Sequence, residues 1–559
     1  MSNRMHLGLL RISLGVAVIA LFAGHAAAQT PVIPPVIGSP NTVTANPTVP
    51  VPPTTPCVVT LFDNFEFDNF NAQTFTYTPP ANCPGPWAKI VFEADFNVTP
   101  GVQYDRTGAI YLGHANIYFG TTAEPGETFG PSWHVERDVT DYSSLFAAQQ
   151  SGEVDLGNLV NSTYTGIIYG TAAVFLYPSP DGQNAPVTPD DVYPMPDAPG
   201  GAVALNTTTD QLSQQFTLPT NIERAYLDVI TQNQSDDEFF YTCVPNDVAT
   251  ELESCGNTAF REAEISIDGQ PAGVAPTYPW IFTGGVDPFL WFPLPGIQTM
   301  EFVPYRVDLT PFAGLLSNGQ PHTLAVSVYN ADSYFSATAS LLVYLDHGSS
   351  QVNGAVTSNT LSATPSPNVD ENLTTNPDGS IDGTVTVSAK RNYEISGYVN
   401  TSHGRVSTTV LQNIDYVNSQ QFTINATEYI QDISQRTGIS SATITHDGLR
   451  FFSTAEEFNY PLTFNISVVV NSDGSENQSE VVHQGWDRSV ISPTFLGTIA
   501  NTEDSTDTLL FDASGNFTGN QGQASKQSYK TFNTTGYFYD CTLQAENNVL
   551  TSIGRGCEQ

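Results

Sequence analysis

Basic residues are scarce in this chain. Its 559 residues include 17 Lys and Arg against 56 Asp and Glu, a net charge of −39 at neutral pH. Binding to phosphate backbones needs clustered Lys and Arg, so nucleic acid is excluded as a partner, and an anionic membrane surface is disfavoured on the same ground. The nine histidines are scattered without ligand spacing. His114 and His134 come nearest to it and read as strand or loop residues, so no metal is expected. The six cysteines form no C-x-x-C pattern. Nucleophile elbows, H-E-x-x-H zinc sites, phosphate-binding loops and dinucleotide fingerprints are absent, as is the D-T-G or D-S-G signature of aspartic proteases. Beyond the N-terminus no apolar run is long enough for a transmembrane helix, and long helical periodicity is missing.

What is present is a chain with much to bury. It is 40% hydrophobic and 11% aromatic, which separates it from disordered acidic tails. Arg4, His6 and Arg11 precede a short apolar run, and Ala26-Ala27-Ala28 offers small residues for cleavage. Residues 1–28 therefore read as a signal peptide and place the protein as secreted or periplasmic, with no membrane contact after cleavage. Residues 29–56 are a Pro/Thr-rich linker of extended character. In an exported chain the cysteines read as disulfides, and their three local groupings pair as Cys57–Cys83, Cys243–Cys255 and Cys541–Cys557.

Period-two alternation dominates the remainder. In residues 89–96, Ile90, Phe92, Ala94 and Phe96 share one face and Glu93 and Asp95 the other. Similar runs recur at short intervals between Gly, Pro, Asn and Asp, the pattern of an all-β protein built from sandwiches or jelly rolls. Composition shifts suggest a first β-sandwich at 57–210, a second at 211–348 and a β-rich C-terminal domain at 349–559. Acids and aromatics supply the remaining chemistry. Sugar-processing sites use carboxylate pairs as acid and base, and aromatic faces pack on apolar sugar surfaces. Such groups are densest at Tyr104-Asp105-Arg106, Asp236 to Tyr241, and Trp280 to Trp291.

Those segments resemble the peptide-N-(N-acetyl-β-glucosaminyl)asparagine amidase A (PNGase A) family. The motifs run from Gln103-Tyr104-Asp105-Arg106 through Thr122-Ala123-Glu124-Pro125 and residues 133–140. They continue through residues 237–241, Phe260-Arg261-Glu262, residues 281–285 and 305–312, in family order over roughly 57–347. The resemblance implies tandem jelly-roll domains that hydrolyse the amide joining the innermost N-acetylglucosamine of an N-glycan to asparagine. N-glycopeptides and N-glycoproteins would be the substrates, the products an aspartyl peptide and a glycosylamine that releases ammonia, and no cofactor is implied. The signal and low pI are similar to those of the acid-active bacterial members called PNGase H+.

By the same resemblance Asp105 and Glu238 are the catalytic pair. Asp105 occupies a place similar to the essential aspartate of the more distant PNGase F. Tyr104, Arg106, Glu262, Trp280 and Trp291 are candidate substrate-binding residues, Glu262 rivalling Glu238 for the second acid. A non-catalytic glycan-binding β-sandwich protein and an acid endoglycosidase are the alternative functions. With a sequence pI near 4.1 and few basic groups to form ion pairs that acid would break, activity is expected well below pH 6.

Overall fold

The computed structural model describes residues 34–557. The expected signal segment and the first residues of the linker lie outside them. Strands make up 56% of the structure and helices 6%, so the expected all-β class holds.

Two sandwiches follow one another with the same strand order. In the first, one sheet contains Cys57–Phe67, Ile168–Pro178, Trp87–Val98 and Ser132–Asp138, and the other Gln73–Tyr77, Gln150–Leu156, Thr107–Leu112 and Ala115–Thr121. Counting strands along the chain, the orders are 1-8-3-6 and 2-7-4-5, a jelly roll. The second sandwich repeats both orders. Its sheets are Val203–Thr207, Asp332–Leu345, Ile222–Asn233 and Tyr305–Asp308, then Leu212–Phe216, His322–Tyr329, Glu262–Ile267 and Gln270–Pro276. Asp191–Met195 adds a fifth strand to the former sheet. Corresponding loops therefore emerge at corresponding ends of the two sandwiches.

The region from Asn353 to Ile553 forms one antiparallel sheet of eleven strands. Its central members, such as Gly404–Asn425, run to 22 residues, about 70 Å of extended chain. Burial alternates along them because only one face is covered. Ile395, Ile414, Ile433, Leu462, Phe464 and Trp486 from that face join the hydrophobic core of the second sandwich. The first sandwich has a separate core, to which Met300 and Leu342 of the second contribute.

The Pro/Thr-rich linker is a strap. Leu550 N–H donates to the Ser39 carbonyl and Val43 N–H to that of Pro293. Ala45 N–H donates to Gln527 Oε1, and Asn41 bonds Ser132 of the first sandwich. All three expected disulfides are present.

The long sheet meets the second sandwich at glycines. A Cβ on Gly397 would overlap the carbonyl of Pro311, in the short helix Thr310–Phe312. Gly397→Ala should therefore lower Tm, since overpacking costs about 1–3 kcal/mol. Gly126→Ala, whose added carbon finds its nearest neighbour at 3.9 Å, should leave Tm unchanged in the same thermal melts.

Candidate active site

The site begins with a hairpin. Thr107–Leu112 and Ala115–Thr121 pair antiparallel around Gly113 and His114, whose φ values of 54° and 67° suit a tight turn matched to strand twist. Because Thr107 pairs with Thr121, the residues just outside the hairpin are opposed. Arg106 N–H donates to Thr122 Oγ1 at 2.8 Å, and Asp105 N–H to Glu124 Oε1 at 3.0 Å. Asp105 and Glu124 are thus neighbours despite a sequence separation of 19.

The second sandwich supplies the opposite wall. Gly284 directs its N–H at the Asp105 carboxylate, and Thr283 Oγ1 donates to the Thr122 carbonyl at 2.5 Å. The approach requires glycine, since a Cβ at 284 would overlap Glu124 Oε1 and crowd Asp105 Oδ1. Glu238 lies close enough for the Asp105 charge to raise its pKa. Its turn is fixed on both sides. Asp237 accepts from buried Arg261 Nε at 2.9 Å and from Asp332 N–H at 2.6 Å, while Asn233 Nδ2 donates to the Glu238 carbonyl at 2.5 Å. The Cys243–Cys255 bridge follows.

Three partly buried acids therefore lie together. Burial pushes Asp105 up to about 6; its own N–H, that of Gly284 and the Arg106 charge hold the rise back. Burial and then the Asp105 charge push Glu238 up to about 7 and Glu124 up to about 8. Desolvation and like charge both favour the neutral acid, so the trio keeps its protons in mild acid, and Asp105 ionises first. Carboxyls so placed can pass protons to and from a bound amide and water.

The other expected residues are distributed unevenly. Tyr104 is 55% exposed beside Asp105, with its ring 5.3 Å from that of Tyr164, which sequence reasoning missed. Arg106 makes no ion pair with Asp105; its Nη2 donates to Gln103 Oε1 at 2.6 Å. Glu262 is 2% exposed and pairs with Arg391 of the long sheet at 3.2 Å. The charges acting on it are those of Arg391 and Glu264, and Asp105 is not among them, so the structure sets Glu262 as a buried partner of that sheet. Trp280 and Trp291 are buried as well. At 4% and 2% exposure they fill the core beneath the loop, and Trp291 Nε1 donates to the Gly285 carbonyl at 2.9 Å. Glu124 was missed as a neighbour of Asp105; the hairpin register carried outward sets Ala123 opposite Asp105, and the Glu124 side chain reaches back to the Asp105 N–H.

Comparison with known proteins identifies the family of the chain. Residues 43–362 match the model of the family described as peptide N-acetyl-β-D-glucosaminyl asparaginase amidase A. The chain belongs to this family. It is 32% identical over 409 residues to the peptide-N4-(N-acetyl-β-glucosaminyl)asparagine amidase A of Prunus dulcis, covering 69% of this chain and 70% of that protein. Among solved structures, PNGase F from Flavobacterium meningosepticum, titled a glycosylasparaginase, aligns at 15% identity and TM-score 0.35 over 52% of this chain and 96% of its own. PNGF-II aligns at 14% identity and TM-score 0.38, over 52% and 65%.

The raised acids have a consequence for stability. Folded Glu124 keeps its proton up to about 8, against an ordinary value of 4.5. Between those pH values the native state binds more protons than the unfolded chain, and stability falls as pH rises. Glu124→Gln should thus raise Tm by a few degrees at pH 8 and leave it unchanged at pH 4, as read by melts across that range.

Proposed function

We propose that this amidase-family chain hydrolyses the amide between the innermost N-acetylglucosamine of an N-glycan and its asparagine, acting in acid outside the cytoplasm. The observation that carries the reading is the convergence of Asp105, Glu124 and Glu238 where the two jelly rolls meet. Asp105, in its acid form, gives a proton to the departing amide nitrogen. Glu238 holds the water that attacks the carbonyl, and Glu124 gives its own proton to Asp105 as it takes up the water's. The net change is amide plus water to carboxylic acid plus amine. The amine is a glycosylamine, which releases ammonia in water. Tyr104 and Tyr164 stand at the mouth of the site, where an apolar sugar face can stack on them, and Arg106 lies behind them.

Because Asp105 keeps its proton only up to about 6, kcat/KM should fall as pH rises through that value, with the optimum below it. The test is mass spectrometry of an N-glycopeptide incubated across acidic pH. Release of the whole glycan with conversion of Asn to Asp supports the amidase. One sugar left on an intact Asn would mean an endoglycosidase, unaltered glycopeptide a glycan binder, and an optimum at neutral pH would remove the acid role of Asp105.

Two substitutions separate chemistry from packing. Asp105→Asn should cost at least about a hundredfold in turnover with Tm nearly unchanged. Glu262→Gln should retain turnover, because that side chain meets Arg391 of the long sheet away from Asp105.

A further inference from the structure

The loop that brings Gly284 to Asp105 is held from behind by the C-terminal sheet. Within the loop, Gly285 N–H donates to the Phe282 carbonyl at 2.9 Å, and the Gly285 carbonyl accepts from Asp287 N–H at 2.8 Å and Trp291 Nε1 at 2.9 Å. Asp287 Oδ1 caps the short helix Pro288–Trp291 by accepting Phe289 N–H at 2.8 Å. The Asp287 carboxyl also hydrogen-bonds that of Asp507, on the strand Phe495–Phe511. Both are buried, at 0% and 1% exposure, and each leaves its Oδ2 without any N–H or O–H donor.

Two carboxyls in such contact are compatible only if a proton lies between them. The titratable groups facing Asp287 are Asp507 and Glu480, both acidic. Glu480 is fully buried and accepts from Gln478 Nε2 at 2.6 Å, and Asn520 Nδ2 donates to Asp507 Oδ1 at 3.1 Å. Phe289 stacks on Phe517 of the next strand, with ring centroids 5.9 Å apart. Among the described residues no group of three or more acidic, His or Cys side chains is arranged to hold a metal.

We propose that the Asp287–Asp507 carboxyl pair, joined by one shared proton, is the anchor through which the C-terminal sheet holds the Gly284 N–H on Asp105. Asp287 and Asp507 are then positioning residues for the reaction proposed above, on which their catalytic role rests, and the long sheet is a template for the active-site loop. The same pair makes the anchorage of the loop depend on pH. Burial and neighbouring acids push Asp287 up to about 8; once the shared proton is lost, two buried anions repel and the loop loses its anchor.

The test uses the full chain and the variants Asp287→Ala and Asp507→Asn. Asp287→Ala frees the loop, so Asp105 loses the Gly284 N–H that favours its charged form. The alkaline limb of kcat/KM should move up by about half a pH unit or more, together with a fall in kcat. Asp507→Asn replaces the shared proton with a permanent amide donor. It should keep the wild-type limb, and its fall in Tm between pH 5 and pH 9 should be smaller than the wild type's by at least about 2 °C. An Asp287→Ala limb that stays in place, or an Asp507→Asn melt with the wild-type pH dependence, would overturn the proposal. So would a rise in wild-type Tm on adding calcium chloride that is lost in Asp507→Asn, since the pair would then hold a cation. If the wild type releases no glycan, the amidase reading fails, and the Tm series still decides whether the pair shares a proton.

Discussion

The site depends on one contact between the two sandwiches, the Gly284 N–H directed at the Asp105 carboxylate. Few donors serve this region, so a single N–H strongly influences how easily Asp105 gives up its proton. The contact also sets the distance between the walls. Gly284 comes so close that any side chain would strike Glu124 and Asp105, and Glu238 faces the same space from the neighbouring turn. A carboxylate removed from water ionises reluctantly unless donors or cations replace the water. Here the donors are backbone groups from both halves of the molecule, so the acid–base character of the site is a property of their junction.

The repeated jelly-roll order explains why these loops meet. Asp105 lies between the third and fourth strands of the first sandwich, and Glu238 between the third and fourth of the second. Glu124 and Gly284 each follow the fifth strand of their own sandwich. Two equivalent pairs of loops thus face one another across the junction.

Three of the basic residues sit at joints. Arg306 binds Asp228 through Nε and Nη2 at 2.7 and 2.9 Å and reaches Asp141 of the first sandwich at 2.6 Å. Arg261 fixes the Glu238 turn through Asp237, and Arg391 meets Glu262 under the long sheet. The expectation that so acidic a chain would rely little on ion pairs is thereby narrowed: two pairs, Arg261–Asp237 and Arg391–Glu262, are buried between elements. Elsewhere acids are buried in forms that favour the neutral carboxyl, as in Glu93, Glu301 and Glu480, each pushed up to about 7 chiefly by desolvation. Their contribution to stability is greatest in acid and declines as pH rises toward those values, the direction in which the −39 charge also acts.

The amino-acid sequence by itself determined the strand class, through period-two alternation, and the three local disulfides, through cysteine spacing. It also carried the motif around Asp105, because these signals lie within short stretches of chain. Tertiary structure decided what long-range packing decides. It set Glu124 beside Asp105 where the chain runs on past the hairpin, and paired Glu262 with Arg391 of the long sheet. It buried Trp280 and Trp291, whose loop composition suits a surface platform equally well, and turned the Pro/Thr-rich linker into a strap. The covered face of the long sheet shows the limit most clearly. Gln484, Asp507 and Gln523 read as surface residues in sequence, yet they are buried against the loop that completes the site, because a second element supplies their hydrogen-bond partners and only the fold brings that element near.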